Sequence, residues 1–82
     1  MTIFQIFRAL EAASVLSTLV DARVINQAMI VRYQRYKRYR DHAEAYPNEK
    51  RNSIVVEVSI VLNVSEQTIY KDIRWMEKEI TI

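Results

Sequence analysis

The chain contains no glycine, no cysteine, one proline (Pro47) and one histidine (His42). Without cysteine it has neither a disulfide framework nor a thiolate metal site, which fits a reducing cytoplasm. Without glycine it has no phosphate-cradling Gly-rich loop and lacks the residue that most readily forms tight hairpins, so short helix-to-helix connections must turn it. With a single histidine, no nucleophile and base pair up and no metal-ligand cluster assembles around His42. Asp41 and Glu44 beside it read as helix-surface charges. No catalytic residue, metal, cofactor or small-molecule substrate is therefore expected. The apolar N-terminal stretch is interrupted by Gln5, Arg8 and Glu11, well short of the roughly 20 apolar residues of a membrane span. No basic segment precedes it, so neither a signal peptide nor a membrane partner is expected.

What is present is the composition of a folded globule: half of the 82 residues are apolar and the net charge is only +2. A single domain, 1–82, is expected, of all-α class with three to four helices, four being favoured. Its parts are a packing or dimerisation helix over 1–20, a basic helix over 21–46 and a helix-turn-helix over 52–80. A chain this short buries only about 60 to 65% of its unfolded surface, so self-association would add stability.

The helix-turn-helix rests on the most informative stretch. An apolar helix over 54–62 meets a break at Asn63 and Val64, and Ser65 opens a second helix. Ile69, Ile73, Met76 and Ile80 recur there at i, i+4, i+7 and i+11, one helical face. Asn63 sits where a left-handed residue ends a helix, and asparagine is the best substitute for glycine there. Ser65 is a good N-cap, and Glu66 favours the positive end of the helix dipole. Val55, Val56, Ile60 and Val61 are β-rich in propensity, so a strand competes over that segment. Ile60 and Val61 require burial against the first helix to be explained.

The sequence LNVSEQTIYKDIRWMEKE, residues 62–79, resembles the second and third helices of bacterial helix-turn-helix regulators. The match is nearest to the DeoR-type pattern, in which Val-Ser-x-x-Thr-Ile is followed by a basic residue, Asp and Ile. In such families the helix opened by the serine lies in the major groove. The resemblance implies burial of Val64, Ile69 and Ile73, and a small residue, here Ser59, where the helices approach. It implies base contact by Gln67, Thr68, Tyr70, Lys71 and Arg74. The chain departs from the pattern in having Asn63 in place of glycine and apolar Ile60 and Val61 where an exposed face is usual. It also lacks residues for a β-hairpin wing after the second helix, which implies a plain or dimeric helix-turn-helix.

Upstream, Ile3, Phe4, Ile6, Phe7, Leu10, Ala13, Leu16 and Val20 form a wide amphipathic stripe to about Leu19, with Thr2 as N-cap. It either covers the helix-turn-helix or also faces a second copy, with Phe4, Phe7 and Leu10 at the interface. Asp21 can cap a second helix from Ala22 to about Ala45, although the first two helices could instead run together. In that second helix Ile25, Ala28, Met29, Tyr33, Tyr36, Tyr39 and Ala43 share one face, which favours the tyrosines as core over base-stacking platforms. Trp75 likewise reads as a core anchor.

Charge is uneven. From Arg23 to Arg51 eight basic residues face three acids, whereas over 66–82 three basic residues face four acids. Phosphate contact is therefore expected from Arg35, Arg38, Lys50 and Arg51, with Ser65 at the helix start, while the second helix of the motif reads base edges. The expected function is sequence-specific binding of double-stranded DNA by a small prokaryotic or phage transcriptional regulator, as a homodimer on two half-sites. Alternatives are a DNA-binding part in phage packaging, replication or recombination, and a protein-interaction module using the N-terminal apolar stripe.

Overall fold

The computed structural model describes residues 1–81; Ile82, the last residue of the expected domain, lies outside the described residues. Among the described residues five helices follow one another: α1 (Ile3–Ala12), α2 (Leu16–Asp21), α3 (Gln27–Ala45), α4 (Arg51–Leu62) and α5 (Glu66–Met76). Among the described residues there is no strand, only an isolated antiparallel bridge between Thr2 and Glu79. The all-α class holds, and the β-rich segment lies within α4. No helix among the described residues is long and apolar enough to cross a membrane.

The helix expected over 1–20 is two helices. Thr2 starts α1 with a reciprocal cap: its hydroxyl accepts from the Gln5 backbone N–H at 3.1 Å, and its own N–H donates to Gln5 Oε1 at 2.8 Å. The chain then turns at Ser14, which is left-handed at φ 60°. The short α2 buries no residue fully and gives way to Arg23, also left-handed at φ 62°. Asp21 is thus the last residue of α2 and not the cap of the next helix. Asn26 takes that role, its Oδ1 accepting from the Met29 N–H at 2.9 Å. Neither the continuous helix nor the start at Ala22 is found, because buried Ile25 draws the connection inward just before Asn26.

Three helices make the framework. α3 packs against both α4 and α5, which pack on each other. The core between them holds Tyr33, Tyr36 and Tyr39 from α3, Ile54, Val55 and Val58 from α4, and Ile69, Ile73 and Met76 from α5. The tyrosines are core residues, and their hydroxyls find protein partners: Tyr33 donates to Glu11 at 2.9 Å and Tyr36 to Glu77 at 2.8 Å. Ala28, in the first turn of α3, is exposed. Ile80 lies beyond the end of α5 and outside its apolar face; its N–H donates to the Met1 carbonyl at 2.9 Å.

α1 closes this framework with aromatic side chains. Phe4 and Phe7, expected at an oligomer interface, are each only 6% exposed within the chain's own core. Phe4 meets Tyr36 edge-on at 4.8 Å between centroids, and Phe7 meets Tyr33 at 5.5 Å and Trp75 at 6.0 Å. Leu10 is half-buried against the same core. The intramolecular aromatic cluster accounts for the stripe, so a second copy would have to use another surface. Ile60 and Val61, expected to be covered by the first helix, are 73% and 59% exposed; nothing among the described residues covers them.

Candidate nucleic-acid interface

The turn between α4 and α5 forms as its residues dictate. Asn63 is left-handed at φ 55°, ψ 46°, and the Val64 N–H closes back on the Ser59 carbonyl at 3.0 Å. Ser59 is buried and its hydroxyl donates to the Val56 carbonyl at 2.7 Å, satisfying the small polar residue inside the packed helix. Val64 is half-buried. Ser65 Oγ accepts from the Thr68 N–H at 3.1 Å and lies 2.9 Å from Thr68 Oγ1. The two hydroxyls are thus engaged with each other at the cap, and Thr68 is half-buried, so neither is a free contact group.

The remaining outward residues of α5 form a ridge. Gln67, Lys71 and Arg74 recur at i, i+4 and i+7 and are exposed. Lys78, just past the helix, extends the line, and Arg32 from α3 joins it: Arg32, Lys71, Arg74 and Lys78 surround Trp75 in one shallow depression. The Arg32 guanidinium lies 5.0 Å over the Trp75 ring, which is itself half-buried against Phe7.

Tyr70 differs from the expected base contact. Its hydroxyl donates to Asn52 Oδ1 at 2.7 Å, bracing α5 against the first turn of α4. Arg51 in that turn donates to Glu77 at 3.2 Å and to the Tyr39 hydroxyl at 3.3 Å, yet its side chain stays 53% exposed. Lys50 is exposed and provides no side-chain cap for α4. The leading N–H groups of α4 are therefore left uncapped by it, at the positive end of the helix dipole.

Two expected phosphate contacts are placed otherwise. Arg35 forms a bidentate pair with Asp72, Nε to Oδ2 at 2.6 Å and Nη2 to Oδ1 at 3.0 Å, and Asp72 is 1% exposed. This hydrogen bonding outweighs burial and raises the arginine's pKa above its ordinary value. Arg32 Nε approaches the same carboxylate at 3.4 Å. Arg35 is thus a structural tie between α3 and α5. Arg38 is exposed, but six residues past Arg32 it stands about 120° around the helix from it. It borders a separate groove with Val31, Gln34 and Leu62.

The fold redistributes the charge counted along the chain. Among the basic residues of 23–51, Arg32 and Arg35 pair with Asp72, Lys37 with Glu11, Arg40 with Glu44 and Arg51 with Glu77. The same pairs remove Asp72 and Glu77 from the acidic side of α5. Among the described residues Lys71, Arg74 and Lys78 enter no ion pair. The segment that is net acidic by count carries a basic ridge, with Glu66 exposed at its start, and the long basic helix spends much of its charge internally.

Asp72, Asn52 and Lys78 are the residues that sequence reasoning missed. Asp72 had a readable signal: at about 100° per residue it falls about 60° from Ile69 and about 40° from Met76, at the margin of the apolar face of α5. The expectation that no metal ligands gather around His42 is also corrected. Glu57 of α4 touches His42 Nε2, and Glu49 from the connection lies 3.8 Å away. Only the turn between α3 and α4 brings these three together. No protein-family model matches the chain, and neither a curated protein nor a solved structure matches it.

Proposed function

We propose that this protein binds double-stranded DNA through its helix-turn-helix, α5 entering the major groove, and acts as a small transcriptional regulator. The observation that carries the reading is the exposed ridge Gln67, Lys71, Arg74 and Lys78, three of the four basic, with Asp72 of the same helix turned inward and paired and Glu66 exposed at the helix start. Gln67 has the donor and acceptor to pair with adenine, and Lys71 and Arg74 the donors to meet guanine O6 and N7. Lys50, Arg51 and the N–H groups of the first turn of α4 supply phosphate contacts, which set register but carry no sequence information. Tyr70, through Asn52, keeps these two surfaces in fixed relation.

Fluorescence-anisotropy titration of a mixed-sequence duplex across a salt series tests this. Affinity falls steeply with salt. Lys50→Ala shallows the logarithmic slope by about one. Lys71→Ala and Arg74→Ala each weaken binding, and Arg38→Ala leaves it near the native value because Arg38 stands off the ridge. No binding at low salt, or binding indifferent to a Lys71→Ala/Arg74→Ala double substitution, refutes the proposal.

A further inference from the structure

We propose that His42, Glu49 and Glu57 form a binding site for one first-row divalent cation such as zinc. The three residues come from the last turn of α3, the α3–α4 connection and the middle of α4, and their ligand atoms all lie within 4.8 Å of one another. Zinc holds imidazole nitrogen and carboxylate oxygen at about 2.0 to 2.2 Å, so the ligand atoms in such a site stand roughly 3 to 3.5 Å apart. The observed cluster needs only small side-chain rotations to reach that spacing, and both glutamates are partly exposed and able to make them.

Two further features point to a cation. His42 Nε2 is closed off from solvent and forms no hydrogen bond, although a Glu57 carboxylate oxygen is in contact with it. A nitrogen shielded from solvent with two carboxylates against it is a set of donors that a metal ion could bind in place of the ion pair. In addition, the Tyr46 ring packs over the imidazole at 4.8 Å between centroids, holding its plane. One neutral imidazole and two carboxylates balance a divalent charge, suit a borderline cation better than a soft one, and leave a coordination position for water. Bound there, the ion ties α3 to α4 through the connection that ends at Lys50. This inference does not depend on DNA binding.

The test is isothermal titration of the chelator-stripped protein with zinc chloride, together with the visible absorption of the cobalt(II) form. One ion per chain binds, and cobalt gives ligand-field bands of nitrogen and oxygen coordination. Glu57→Gln, which preserves size, weakens binding by at least about tenfold. His42→Ala abolishes it, and Glu44→Gln, on the same helix but outside the cluster, leaves it unchanged. Circular dichroism checks that each variant is folded; should His42→Ala unfold, Glu57→Gln decides. Absence of binding to the native chain overturns the proposal, as does binding undiminished in Glu57→Gln, and the cluster is then a histidine held by carboxylates alone.

Discussion

Removing Asp72 is the perturbation that most directly tests how α5 is held. Its carboxylate is almost wholly buried and takes two hydrogen bonds from Arg35, with Arg32 nearby. Asp72→Ala leaves the Arg35 guanidinium, itself mostly buried, without its partner. Breaking such a pair costs about 3 to 5 kcal/mol. A domain of this length has a total stability of about 4 to 12 kcal/mol, so the variant is expected to be marginal. Each kcal/mol moves Tm by about 4 to 8 °C in a domain this small, which puts the loss at roughly 12 °C or more. Replacing both partners, as in Arg35→Met/Asp72→Leu, removes the unpaired charge and is expected to recover most of the stability. Urea denaturation followed by circular dichroism on the native chain, both single variants and the double variant gives the coupling directly. If Asp72→Ala costs under about 1 kcal/mol, or if the double variant is as unstable as the sum of the singles, the pair is not the tie described.

Ser14→Gly and Arg23→Gly should each raise stability, by up to about 1 to 2 kcal/mol, since both residues are left-handed with a side chain that opposes it. A lowered urea midpoint in either variant counts against this. Burial first, then hydrogen bonds to Glu11 and Glu77, pushes the Tyr33 and Tyr36 hydroxyls up to about 12. Their folded values exceed the unfolded value of about 10. The stability this gives is therefore complete below about pH 10 and is lost as pH rises toward 12. Two units correspond to about 2 to 3 kcal/mol for each tyrosine. Tyrosinate absorbance and circular dichroism recorded together should show the two hydroxyls ionising only as the helices melt; ionisation near pH 10 in a folded chain contradicts the assignment. Phe4→Asp should unfold the chain at any protein concentration, because Phe4 packs within it; a folded variant with altered sedimentation would return that residue to an interface.

The parts of the fold that were legible in the sequence are those set by neighbours along the chain. Asn63 and Ser65 define the turn because a left-handed stop and a hydroxyl cap act within a few residues. The core faces of α3 and α5 followed largely from helical phase, whereas the outward position of Gln67, Lys71 and Arg74 came from the resemblance to helix-turn-helix regulators, which placed Thr68 and Tyr70 there as well. What escaped was decided across the fold. Ser14 carries no local mark of a left-handed turn, so α1 and α2 read as one helix. The wide stripe of Phe4 and Phe7 shows that the residues are covered, and only the arrangement of α3 and α5 says by what. Charge counting failed for the same reason: Arg35 and Asp72 are 37 positions apart, and their pairing takes one carboxylate out of the charge that α5 presents. Glu49 and Glu57 come to His42 only when the α3–α4 connection folds back.

The docking of α1 has a consequence for synthesis. Its first turn is fastened at the far end of the chain, the Ile3 N–H donating to the Lys78 carbonyl at 3.1 Å and Phe7 packing on Trp75. A ribosome adding about 5 to 20 residues per second needs several seconds to travel between these points. Tyr33 and Tyr36 of α3 reach Phe4 and Phe7 partway through that interval, but Trp75 and the Lys78 carbonyl do not, so α1 completes its docking only after α5 has been made. In that window a nascent-chain chaperone that recognises aromatic side chains competes with folding, and slower translation of α3 to α5 lengthens its opportunity.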